Sequence, residues 1–335
     1  MVNKEKRNII ITLVAALILS SIINLVLMHV FVGSYLSETN RIINIFDLYG
    51  HLRDTQEEKI FFVGSSQIAS GVDCSAIEEH ISKSKNSNLQ VYNVGYPGDT
   101  PLRRLSEVAR LKECRPKMVF IGLTYYAIND TSFPISSDDL ALVSGDIELD
   151  NYSRSLFQAN DLSLLDMDQL SLEFYKRKFI VPSLWNVLNL TKKGTEETEA
   201  PKNFKIQPMN YENLTPELLS IRLNNSRDTL DKYVVGGGEN VQKKALNHTL
   251  HLLNSLGNSV IIINMPLNPV LSREISEDTR RNYFQFLNST GTNYYDYESR
   301  YPPNCFRDLT HLNSMGRKQF SEDMARMILK EERNL

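Results

Sequence analysis

The chain has 335 residues, 41% of them hydrophobic and 23% charged, which is enough apolar material for a large folded domain that needs no disulfide support. Its 37 Lys and Arg residues are scattered among 40 Asp and Glu, for a formal charge of −3, so no basic field exists to hold a phosphate backbone and nucleic acid is not an expected partner. Three cysteines, Cys74, Cys114 and Cys305, permit one disulfide and a free thiol but require neither.

In chain order, Lys4-Glu5-Lys6-Arg7 precedes a run from Asn8 to about Leu36 that contains no Asp, Glu, Lys or Arg. At about 1.5 Å per residue such a run exceeds the roughly 30 Å hydrocarbon core of a bilayer. It is longer than the apolar region of a cleavable signal peptide, and no small-residue cleavage site follows. It therefore reads as an uncleaved transmembrane signal anchor over 8–36. The basic residues ahead of it make 1–7 a cytoplasmic tail and put everything after about residue 40 outside the membrane. Residues 37–57 read as a polar, partly helical linker. In an extracytoplasmic compartment the sequons at Asn151, Asn189, Asn213, Asn247 and Asn288 would be open to glycosylation where that pathway exists.

From residue 58 to 335 short apolar runs alternate with helical patterns. The runs cover 60–64, 90–95, 117–126, 259–266 and 292–297, and their β-branched and aromatic content, with near-continuous apolarity in the third and fourth, predicts strands covered on both faces. Apolar residues at three- and four-residue spacing predict helices over 76–83, 101–114, 241–256, 272–287 and 314–330. Pro101 suits a first helical turn, capped from Asp99-Thr100. Strand alternating with helix predicts an α/β fold, a three-layer α/β/α flavodoxin-like domain on a parallel sheet. The alternation lapses over about 131–238, which reads as an insertion leaving the strand ends where ligands bind in such sheets.

Three places along these elements carry chemistry. Gly64-Ser65-Ser66-Gln67 ends the first strand, where a sheet presents a nucleophile to solvent; by itself it also reads as a turn or a helix cap. Asn93-Val94-Gly95-Tyr96-Pro97-Gly98-Asp99-Thr100 follows the second strand, and its glycines let backbone N–H groups face an oxyanion. Asp308-Leu309-Thr310-His311 precedes the final helix, and of six histidines only His311 has an Asp three residues before it. A carboxylate so placed orients one imidazole nitrogen and leaves the other for a nucleophile. His248 and His251 share a helical pattern without the Cys, Asp or Glu of a metal cluster and read as surface residues.

Taken in order, these motifs resemble the SGNH, or GDSL-like, hydrolase family. Gly64-Ser65-Ser66 is similar to that family's Gly-Asp-Ser, with Ser65 in place of Asp and Ser66 as the nucleophile; Asn93 through Gly98-Asp99-Thr100 is similar to its second motif, and Asp308-x-x-His311 to its last. The resemblance implies a catalytic triad of Ser66, Asp308 and His311, an oxyanion hole from Ser66, Gly98 and Asn129, and no cofactor or metal. The third motif departs from the family's Gly-x-Asn-Asp. Here Ala127-Ile128-Asn129-Asp130 comes several residues late, so Asn129 donates to the oxyanion or Tyr125 or Tyr126 stands in its place. With the anchor, the chain looks like a membrane-anchored, cell-envelope branch of the family. That branch implies a serine esterase or O-acyltransferase acting on acyl esters of envelope glycans or lipids. A transferase would need a membrane-embedded partner to deliver the acyl group. The alternative is a domain that keeps the fold but only binds, as a scaffold in an envelope-modification complex.

Overall fold

The computed structural model describes residues 45–84, 89–129, 149–159, 232–255 and 259–333, together with 20, 204, 215, 217, 218, 221, 224, 230 and 257. The chain divides into Met1–Ile42 and Ile43–Leu335, and the architecture below belongs to the second unit. The expected membrane segment over 8–36 (but for residue 20) and most of the expected insertion lie outside the described residues. Among the described residues no helix is long and apolar enough to cross a membrane.

Five strands, β1 (Lys59–Gly64), β2 (Gln90–Asn93), β3 (Met118–Leu123), β4 (Ser259–Asn264) and β5 (Tyr294–Asp296), form one sheet in the order β2-β1-β3-β4-β5. Every neighbouring pair is parallel. Parallel strands need crossover connections, which put helices on both faces, so the central strands are buried on each side. All residues of β1 and β3 are buried accordingly. The order reverses at β1, with β2 on one side of it and β3 on the other. The crevice at such a switch point, outside the carboxyl ends of the strands, is where open sheets of this kind place their ligands.

Around the sheet run α1 (45–52), α2 (Ser66–Gly71), α3 (Cys74–Ser84), α4 (Pro101–Glu113), α5 (Asn151–Ala159), α6 (Val241–Asn254), α7 (Pro269–Ser272), α8 (Glu277–Ser289) and α9 (Ser314–Glu331). On one face Ile60, Phe62 and Phe120 meet Ile77 of α3 and Phe320 and Met324 of α9. The rings of Phe62 and Phe120, paired across β1 and β3, stack at 4.8 Å. On the other face Leu102 and Leu105 of α4 pack with Phe157 of α5 and Ala245 of α6.

The boundaries depart from expectation where tertiary contacts take over. Part of the expected linker is the buried helix α1: Ile45, Leu48, Tyr49 and Leu52 are covered, and Tyr49 donates to Glu107 of α4 at 3.3 Å. Strand β3 stops at Leu123, the last residue paired with β4, and the chain turns through a 3-10 helix at Tyr125–Ile128. Tyr125 drives that turn. Its ring lies 4.5 Å from Tyr283 and its hydroxyl donates to buried Glu298. The helix expected over 272–287 begins instead at Glu277, where the Ser276 side chain accepts from the Thr279 amide. None of the three cysteines is in a disulfide, and all three are buried.

Candidate active site

The first strand ends on Gly64, whose φ of +152° is closed to most side chains, and a Cβ there would come within 2.8 Å of Gly122 O and of Ile68. The turn brings Ser65 to the N-cap of α2, where its Oγ accepts from the Gln67 amide, and puts Ser66 on the first turn. The N–H of Ser66 therefore lies outside the helical hydrogen-bond ladder. Ser65 makes the cap, and Ser66 makes the contact with the histidine loop. Ser66 Oγ is 2.8 Å from His311 Nε2, a contact 245 residues apart in sequence.

His311 is held from the other side. Its Nδ1 lies 3.0 and 2.9 Å from the two oxygens of Asp308. The backbone amides of Thr310 and His311 also donate to Asp308 Oδ1, at 2.9 and 2.7 Å. Burial alone would raise the Asp308 pKa, but the bond and charge of His311 and these two amides bring it down to about 2. The carboxylate thus stays ionised at neutral pH and aligns Nδ1–H, which directs the lone pair of Nε2 at Ser66.

Sequence reasoning missed three positioning groups. Gln67 Nε2 donates to Thr310 O at 2.9 Å and to Pro266 O at 3.3 Å, bracing the serine helix against the histidine loop. A Gln after Ser-Ser gives no sign of this, because both partners are backbone atoms. Arg104, buried on α4, donates to Asp99 Oδ2 at 2.5 Å, Glu107 Oε2 at 2.7 Å and the carbonyls of Gly64 and Val94 at 3.4 Å. It joins the ends of β1 and β2, and its charge on the inward face of an amphipathic helix is a signal the sequence does carry. Thr310 Oγ1 lies 3.1 Å from His311 Nδ1.

Gly98 sits in a turn after β2 with φ +69°, its carbonyl accepting from Arg103 and its N–H donating to no group among the described residues. Asn93, in contrast, is structural. Its amide donates to the carbonyls of Ile68, Ala69 and Val72, closing the end of α2. Asn129 is buried just past the 3-10 turn and donates through Nδ2 to the carbonyl of Lys232. Tyr125 is turned into the core, and Tyr126 packs at 5.9 Å on Tyr233. His251 is exposed as expected, whereas His248 is mostly covered and binds Asp150 at 2.7 Å.

A protein-family model matches residues 223–332, less than half of the chain, a span that carries β4, β5 and the Asp308–His311 loop. Among curated proteins none matches. Among solved structures the chain is similar to a catalytic mutant of Axe2, an acetylxylan esterase from Geobacillus stearothermophilus, at 11% identity and a TM-score of 0.39, covering 80% of this chain and 93% of that one. It is also similar to TesA, at 13% identity and 0.31, covering 71% and 77%. A third likeness is to Est2A, an acetyl xylan esterase from the rumen bacterium Butyrivibrio proteoclasticus, at 10% and 0.30, covering 82% and 64%. With TM-scores below 0.5 these likenesses do not bear on what this chain does. The function proposed below rests on its own residues.

Proposed function

We propose that the chain is a serine esterase or O-acyltransferase that cleaves acyl esters through Ser66, His311 and Asp308. The observation that carries this reading is the unbroken hydrogen-bond path from the Asp308 carboxylate through both imidazole nitrogens of His311 to Ser66 Oγ. Ser66 Oγ attacks the ester carbonyl while His311 Nε2 takes its proton; the same proton then goes to the departing alcohol, leaving an acyl group on Ser66. Asp308 stabilises the imidazolium between these steps. The N–H groups of Ser66 and Gly98 hold the oxyanion. A second alcohol or water reverses the sequence and frees the enzyme.

The finer reading adds a place and a substrate. The uncharged run after Arg7 supports a signal anchor that holds the domain on the outer side of a cell membrane. Acyl esters of envelope glycans or lipids are the substrates within reach there. Transfer would draw its acyl group from a membrane-embedded donor protein, whereas hydrolysis would need none.

The test is labelling of the purified protein by a fluorophosphonate probe. Wild type and Ser65→Ala should react, and Ser66→Ala and His311→Ala should not. A folded wild type that fails to react would overturn the reading in favour of a fold that binds without cleaving.

A further inference from the structure

The proposed mechanism draws on two oxyanion donors, the N–H groups of Ser66 and Gly98, and leaves a third position open where the chain leaves β3. We infer that this third donor is the hydroxyl of Thr124, and not the side-chain amide of Asn129. The inference rests on the reading of Ser66 as nucleophile and adds a residue to that site.

The register of the sheet supplies the first argument. Val63 pairs with Ile121 and Gly64 with Gly122 in neighbouring parallel strands. The chain therefore leaves β3 beside the turn that carries Ser66; a Cβ on Gly122 would meet Ile68 of α2, and strand alternation puts Thr124, two residues on, on that same face. Asn129 comes five residues later, on the far side of the Tyr125–Ile128 turn.

The second argument is what each side chain already does. Thr124 is only 6% exposed, and its hydroxyl makes no cap bond to the turn it precedes. It bonds to no group among the described residues, which leaves it to bond a ligand or water. Asn129 has its amide on the Lys232 carbonyl, where it ties the start of the 232–240 segment to the turn.

The third argument is location. Thr124 lines a small pocket of about 30 Å³ together with Gly64, Ser65, Asp99 and Thr100, the residues that flank Ser66 and Gly98. The carboxylate in that wall, Asp99, has its Oδ2 on the Arg104 guanidinium. A hydroxyl differs from an amide in that it rotates, and Thr124 can turn its proton toward the oxyanion as charge develops.

The test compares Thr124→Val, Thr124→Ser and Asn129→Ala with wild type in p-nitrophenyl acetate hydrolysis and in the rate of fluorophosphonate labelling. Loss of one oxyanion donor lowers kcat about 10²-fold or more with little change in KM, so Thr124→Val should do this while Thr124→Ser stays within about tenfold and Asn129→Ala within about threefold. A merely structural role would instead lower the unfolding temperature of Thr124→Val and leave the kcat of its folded fraction intact. Should the valine variant not fold, Thr124→Ala is read against Thr124→Ser by the same ratio. Thr124→Val within a few-fold of wild type, with Ser66 still labelled, would overturn the inference and leave the nucleophile standing. Wild type that is not labelled at Ser66 would bring down both.

Discussion

The loop before α9 and the loop after β3 follow opposite rules. Between Asp308 and His311 the geometry is almost wholly local: a carboxylate three residues ahead of an imidazole receives two backbone amides and the ring nitrogen at 2.7–3.0 Å. Any chain with that spacing in a tight turn builds the same half of a site. After β3 the relevant position is set by distant partners: the register with β1, the end of pairing with β4, and the pull of Glu298 on Tyr125. A motif whose residues make one another's contacts survives as a pattern, whereas a position set by the sheet can be filled by a residue that no motif marks.

The sharpest way to break the local half is Asp308→Asn. The amide no longer selects the tautomer that leaves Nε2 free, and kcat should fall by about 10³ to 10⁴, with fluorophosphonate labelling slowed in parallel. A loss below tenfold in a folded variant would show that His311 does not depend on this carboxylate.

Gln67 ties α2, which carries Ser66, to the Thr310 loop, and its effect should be intermediate. Misplacing a catalytic group by about 1 Å costs up to about 10²-fold, so Gln67→Ala should lower kcat by about 10 to 10² with KM nearly unchanged. Kinetics matching wild type would mean that α2 and the Thr310 loop are held by other contacts.

The smallest effect is on stability. The Asp308 pKa is lowered from 3.8 to about 2, so its contribution is complete above 3.8 and disappears as pH falls through about 2. Urea unfolding at pH 6 should find Asp308→Asn on the order of 2 kcal/mol less stable than wild type, with the gap closing near pH 2. A gap independent of pH would point to packing.

These contrasts also mark what the sequence could disclose. Apolar runs placed all five strands; β1, β3 and β4 are buried on both faces and show no alternation to misread, whereas β5, partly exposed, is marked by its tyrosines. Ser66, Asp308 and His311 were legible because each stands at the end of a strand or the start of a helix with a recognisable neighbour. Gln67 acts on backbone carbonyls, which have no sequence, and Thr124 is one of many threonines until the place of β3 beside β1 is known. The burial of α1 escaped notice for a related reason: Ile45, Leu48 and Leu52 form a short stripe in a polar stretch, and Phe61, 5.9 Å from the Tyr49 ring, with Glu107 and Cys114, gives it a surface to cover.

The central claim is that Ser66 Oγ is an activated nucleophile, and the most direct measurement is to stop the reaction with a short-chain p-nitrophenyl ester in acid and map the acyl group by peptide mass spectrometry. The account predicts a single adduct on Ser66 that is absent in His311→Ala. An adduct on Ser65, or none on a folded wild type that turns the ester over, would contradict it.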